Sequence, residues 1–228
     1  PNTVVIAKKA LAEGDLQGAF GAVRAYLMAH ELKLHSIHQL AGLLKEIADH
    51  GQAKAQITVQ RLAILSGNHA ADFIVQGIVC ALAKEGIAVK VFAGDYNVFN
   101  QDIINPGSGL YTFCPEMILI ATTWHDVALP SIPLLGEDAR DTLVEEQANH
   151  FNELWTLIGT RLNVPVIQHL FDKPPYSLLG KAERLLEGGA HSFIDSLNAR
   201  LIALAPSFLF WLDLDALSAH VGRAVWNS

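Results

Sequence analysis

A three-layer, doubly wound α/β fold is the architecture this sequence predicts, and three observations predict it. Five short apolar runs follow one another from Gln60 onward: Arg61–Ser66, Ala88–Ala93, Glu116–Ala121, Val164–His169 and Ser207–Asp213. Their near-continuous Val, Ile, Leu and Phe content suits strands covered on both faces. Helical patterns separate them, at Asp72–Glu85, Glu137–Arg161 and Gly189–Ala205, with a short one at Asp215–His220. Such β–α alternation favours about five parallel strands with right-handed crossovers and helices on either side. The Pro/Gly-rich pieces Asn105–Ser108 and Ala128–Gly136 read as loops at or near strand ends, where such folds gather their sites.

The residues before the first strand read differently. From Thr3 to about His50 the pattern is helical only. Leu16, Ala19, Phe20, Val23, Tyr26 and Leu27 recur at i, i+3, i+4 and i+7, and so do Ile37, Leu40, Leu43, Leu44 and Ile47. Asp15 and Ser36 are the N-caps expected for these two helices, and Gly51 the stop of the second. Residues 1–56 are thus a helical arm that must pack its stripes on something else, and 57–228 form the α/β domain. The ending Trp226-Asn227-Ser228, without a cap or tail, suggests a domain excised from something longer.

Composition narrows the class. Of 228 residues, 51% are hydrophobic and 17% charged, which marks a globular chain with a sizeable core. The formal net charge of −7 argues against broad nucleic-acid or anionic-membrane binding. No apolar run approaches the roughly 20 residues that span a bilayer. No signal peptide is visible after Lys8-Lys9, so the expectation is a cytoplasmic protein. Cys80 and Cys114 offer neither a disulfide framework nor metal spacing, and both read as reduced core thiols. The ten histidines are scattered. The closest pair, His35 and His38, has no Cys, Asp or Glu at ligand spacing, so no zinc site is expected and solvated side chains are.

Three segments carry possible chemistry. In LAILSGNHAAD (Leu62–Asp72) a strand passes through Ser66-Gly67-Asn68-His69 into a helix, a turn whose backbone N–H groups are placed to meet an anion or carbonyl oxygen. A GDS-type serine esterase carries its nucleophile here. Laid on that template, Gly67-Asn68 matches Gly-Asp, His69 falls on the nucleophile position, and Ser66 lies too early. The plain reading is a tight turn capped by Asn68. The second segment, ATTWHDV (Ala121–Val127), stands where the template wants Gly-x-Asn-Asp; only Asp126 matches, and no asparagine completes an oxyanion hole. Trp124 and His125 either line a pocket or cover the sheet edge.

The third segment is Asp213-Leu214-Asp215, followed by His220. Asp-x-Asp after an apolar strand suggests the start of a haloacid-dehalogenase-type phosphatase, but too few residues follow to build that fold. Asp215 and His220 are five apart, not the three of an esterase Asp-x-x-His pair. A strand end with Asp215 capping a short helix remains. If parallel strands bring the Ser66–His69 turn, the loop after Ala93 and Thr122–Asp126 to one edge, then Asn68, Asp95, Tyr96, His125 and His220 face a common cleft, with His69, Trp124 and Asp215 as further candidates.

Several segments in order resemble the FkbH-like family: LAILSGNHAAD after a helical arm, VFAGDYNVFNQDIINPGSGLYTFCPEMILI with its Ser108–Pro115 piece SGLYTFCP, then VPVIQHLFDKPP, FIDSLNARL at Phe193–Leu201, and FWLDLDALSAHVGRAVW at Phe210–Trp226. The resemblance spans nearly the whole chain. It implies an N-terminal domain of SGNH-hydrolase-like (flavodoxin-like) fold, followed by a haloacid-dehalogenase-like domain that uses Mg²⁺. Members install a glyceryl unit from phosphoglycerate on an acyl carrier protein in polyketide and related pathways. No cofactor is then expected in the present domain, and its partners are the carrier protein and its own C-terminal domain. His69-Ala70 departs from the serine- or asparagine-rich turn followed by threonine that members commonly have. The family's catalytic aspartates match no residue here, so the expected role is supporting or docking. The alternative is an esterase or acyltransferase using Ser66 with His220. Of three cationic segments (Lys8-Lys9, Lys173 with Lys181 and Arg184, Arg200 with Arg223), the second is favoured for carrier docking, because it follows a strand and holds Pro174, Pro175, Tyr176 and Leu178.

Overall fold

The computed structural model describes residues 2–31, 33–54, 57–68, 71–129, 137–174 and 189–222. Its centre is one sheet of five parallel strands: β1 (Val59–Ser66), β2 (Ala88–Ala93), β3 (Met117–Ala121), β4 (Val166–Leu170) and β5 (Leu209–Asp213), in the order β2-β1-β3-β4-β5. This is the flavodoxin-like order, with its switch point between β1 and β3. The register runs straight across: Ile64 pairs with Leu119, Leu119 with Ile167, and Ile167 with Phe210.

Side chains alternate between two layers, as the period of a strand requires. Ala63, Leu65, Ile118, Ile120, Val166 and Leu209 point into the larger core, against α7 (Glu137–Arg161) and α8 (Ala190–Leu204). Trp155 is fully buried there; it meets Trp211 edge-on and donates its indole N–H to Gln168 Oε1 at 3.4 Å. Leu62, Ile64, Leu119 and Ala121 point the other way, against Ile74, Val75 and Ile78 of α4 (Ala71–Lys84).

The N-terminal helices α1 (Asn2–Ala12), α2 (Leu16–Ala29) and α3 (Leu34–Lys54) pack on α4 and on β2. The stripe positions Ala19, Val23, Leu27, Leu40, Leu43, Leu44 and Ile47 are buried in one cluster with Val79, Cys80, Ala83 and Val89. The arm's apolar faces therefore end on the edge of the sheet domain itself. Asp15 caps α2, its Oδ1 accepting the Gly18 N–H at 2.8 Å.

Several expectations need correction. Ser36 and Gly51 both lie inside α3, which starts at Leu34 and runs to Lys54. Gly51 is there for space: a Cβ would fall 2.5 Å from Ile57 Cγ1. Cys114 is exposed, because it ends α6 (Gly109–Phe113) in the left-handed region at φ 49° and turns away from the core. Among the histidines, His169 is buried; Nδ1 lies 3.3 Å from the Thr122 carbonyl and donates to it. The cap of α9 (Leu214–Val221) is Asp213, whose Oδ1 accepts the Ala216 N–H at 2.9 Å, while Asp215 sits in the first turn. Two short helices, α5 (Phe99–Ile104) and α6, connect β2 to β3, and the expected loop Asn105–Ser108 lies between them. Among the described residues no helix is long and apolar enough to cross a membrane.

Candidate functional site

The carboxyl ends of β1, β2 and β3 meet at the switch point. Gly94 donates its N–H to the Ile64 carbonyl at 2.9 Å, Gly67 to Ala121 O at 3.1 Å, and Asn97 to Gly67 O at 3.1 Å. Asn97 takes the left-handed region, φ 56°, which a short amide side chain tolerates. Three turns are thus stitched into one rim.

At its centre is Asp126. Residues Thr123–Asp126 form a capping box around a 3₁₀ turn at Trp124–Asp126. The Asp126 carboxylate accepts the Thr123 N–H through Oδ2 at 2.8 Å and the Asn68 N–H through Oδ1 at 2.5 Å. It therefore joins the end of β3 to the turn after β1, residues 58 apart in sequence. Gly67 makes room for it: a methyl there would fall within 3.0 Å of the carboxyl carbon and both oxygens. The Asn68 N–H, one of the groups expected to stand ready for an anion, is already taken by an internal one. The Asn68 side-chain Oδ1 accepts the Tyr96 hydroxyl from the loop after β2.

Around this clamp, Trp124 and His125 stack with ring centroids 3.6 Å apart, the imidazole exposed. The Trp124 N–H is held by buried Asp172 at 3.1 Å. Beneath them Gln168 donates to Thr122 Oγ1 at 2.9 Å, so the floor of the site is a buried polar layer with its bonds made. Asp95 is exposed. Asp102, one helix on, has Oδ2 buried with no hydrogen-bond partner among the described residues. Burial, and secondarily the Asp95 carboxylate, raise its pKa above the ordinary value.

The structure brings Asn68, Tyr96, Trp124 and His125 to one edge, with Asp95 on the same loop as Tyr96. It does not bring Ser66 and His220 together. Ser66 is 1% exposed, and its Oγ has no partner among the described residues. His220 is exposed in the last turn of α9. β3 and β4 separate β1 from β5, roughly 14 Å at the usual strand spacing. Asp215 lies beyond β5, away from the switch point. Lys173 is ion-paired with Asp195 at 2.7 Å. His69, Lys181 and Arg184 lie outside the described residues.

Sequence reasoning notes Asp126 only as a partial match to the esterase template, and does not single out Asp102 or Asp172. The capping pattern Thr-x-x-Asp is a readable signal for the first, and an acid inside the apolar segment Phe99–Ile104 for the second. Among the described residues no group of three His, Cys, Asp or Glu side chains could hold a metal ion.

Sheet order and site position define a doubly wound α/β domain of flavodoxin-like topology with its rim at the β1/β3 switch point. Residues 61–228 match the family model described as FkbH, N-terminal domain. The chain belongs to that family. A solved structure, the N-terminal part of protein BF1531 from Bacteroides fragilis containing a phosphatase domain complexed with Mg, is similar in fold: TM-score 0.63 at 20% identity over 79% of this chain. The present chain spans 46% of that one. A cobalamin-binding protein from Desulfitobacterium hafniense aligns over 88% of this chain and 90% of its own at 13% identity, but its TM-score of 0.38 carries no argument. No curated protein matches.

Proposed function

We propose that this chain is the supporting and docking domain of a FkbH-like protein, one in which a haloacid-dehalogenase-like domain with Mg²⁺ loads a three-carbon glyceryl unit from phosphoglycerate onto an acyl carrier protein. Two findings support the family part of this reading: the match over residues 61–228, and a fold shared with a chain that also contains a phosphatase domain. One observation carries the non-hydrolytic part. The Asn68 N–H, which faces the rim where an esterase would stabilise an oxyanion, is occupied by the Asp126 carboxylate at 2.5 Å. A second negative charge at that point meets like-charge repulsion rather than a free donor, and an oxyanion donor is worth about 3–4 kcal/mol to such a reaction. The buried Ser66 hydroxyl, far from His220, supplies no activated nucleophile.

Short aryl esters test this directly. Neither the wild type nor Ser66→Ala is expected to turn them over; robust hydrolysis lost in Ser66→Ala would restore the esterase or acyltransferase reading. For the carrier, an acidic partner meets a chain of net charge −7, so docking needs a local basic patch. With Lys173 engaged by Asp195, Lys181 and Arg184 are the cations of that loop left to test. In titrations of labelled carrier protein, Lys181→Glu with Arg184→Glu and added salt are each expected to weaken binding. Equal affinities for both proteins, or no binding by the wild type, would leave the domain a scaffold.

A further inference from the structure

The helical arm and the sheet domain do not close on each other everywhere. Between α3, α4 and β2 lies a cleft of about 350 Å³, within the range of small-molecule sites. It stays open because of which residues face it. α3 sends its large side chains Leu40, Leu43, Leu44 and Ile47 into the shared core and turns only Ala41, Gly42 and Ala48 to the cleft beside its polar residues. At Gly42 an added methyl would meet nothing within 4 Å. Val75 and Val79 of α4 form the facing wall, and Val89 and Val91 of β2 the floor. One end reaches the carboxyl edge of the sheet, where Ala93 closes β2 and Asp72 stands in the first turn of α4. Doubly wound folds bind their ligands outside that edge. The cleft has no residue in common with the Asp126 clamp.

The charged groups around the cleft set the sign of its ligand. Asp49 lies 3.2 Å from the Lys90 ammonium, and Lys45 stands one turn before it on α3, so two ammoniums share one carboxylate. Lys45 makes no ion pair or hydrogen bond among the described residues. Asp72 also faces the cleft, but the positive end of the α4 dipole compensates a carboxylate in that helix's first turn. The wider field has the same sign. Residues 1–93 carry nine Lys and Arg against seven Asp and Glu, whereas residues 94–228 carry seven against sixteen. We infer that the cleft between α3, α4 and β2 binds a small apolar monocarboxylate, its hydrocarbon body on the valines and its carboxylate on Lys45, at a site that the proposed function does not require. A molecule bound there touches the arm and the sheet domain at once and so holds the two together.

Isothermal titration of the protein with octanoate tests this, with octanol as the same body without the charge. We expect octanoate to bind about fivefold more tightly than octanol, as one ion pair open to water allows. Lys45→Met should remove that preference and leave octanol binding unchanged. Gly42→Phe and Gln76→Phe fill the cleft from opposite walls, and each should weaken octanoate about tenfold or more by taking the space of its apolar body. Gly77→Ala on α4, outside the lining, should bind octanoate as the wild type does. Octanoate should also raise the Tm of the wild type and leave that of the filled variants unmoved. Far-UV circular dichroism establishes that each variant is folded. Lys45→Met alters an exposed side chain, so it decides the matter even where a filled variant does not fold. No binding of octanoate by the wild type at about 10 mM overturns the inference. Equal affinities for octanoate and octanol, or octanoate affinity unchanged in folded Gly42→Phe and Gln76→Phe, overturn it as well.

Discussion

Replacing Gly67 by alanine tests the central contact of the rim. The added methyl would fall within 3.0 Å of three carboxyl atoms of Asp126, a contact that real side chains do not make. Asp126 is short, and it is fixed by its own 3₁₀ turn, so it has little room to swing aside. Relief requires giving up its bonds to the Asn68 and Thr123 N–H groups. Hydrogen bonds to a charged acceptor contribute about 1.5–3 kcal/mol each, less where water reaches them, as it does at Asn68. The expected cost is therefore about 2–4 kcal/mol, which in a chain of this size lowers Tm by roughly 5–12 °C. Thermal unfolding followed by far-UV circular dichroism measures it. The same substitution in an Asp126→Ala background should cost under about 1 kcal/mol, since the clash has gone, and the difference is the coupling between the two positions. Gly77→Ala in α4 is the control: its added methyl meets nothing within 4 Å, so helix propensity should raise stability by about 0.5–1 kcal/mol. A Gly67→Ala protein within about 0.5 kcal/mol of wild type would refute the clamp, as would equal costs in the two backgrounds.

Three further outcomes are expected. The folded-state pKa of Asp102 is raised, so the native state binds the extra proton and stability falls as pH rises from the unfolded-state pKa through the folded one. Asp102→Asn should therefore be more stable than wild type at neutral pH and lose that advantage in acid, in denaturant titrations across the range. Burial pushes the Cys80 thiol up to about 11 while Cys114 is exposed, so one thiol should react with a maleimide near pH 8 in the native protein and two in denaturant. Asp15→Ala removes the cap on Gly18 N–H and should cost about 1 kcal/mol, read from the same unfolding curves.

The sequence by itself determined the elements, because their signals are local. β2 spans the predicted Ala88–Ala93, α7 the predicted Glu137–Arg161, and the remaining strands lie within about two residues of their apolar runs. Asp15 was legible as a cap because a cap concerns a residue and its neighbours three positions on. Ser36 and Gly51 misled for the complementary reason: α3 continues through both because its stripe is buried against α4 and β2, and packing outweighs a local stop. The carboxyl-edge rim followed from parallel strands alone. Only the tertiary structure decided what the rim contains, since Asp126 reaches a backbone N–H 58 residues away and no periodicity encodes such a pairing. It also decided that β1 and β5 stand apart, which separates Ser66 from His220, and that Phe210 and Leu212 face outward. Alternation along β5 shows that two side chains share a face, but strand order and the reach of α4 settle whether anything covers it.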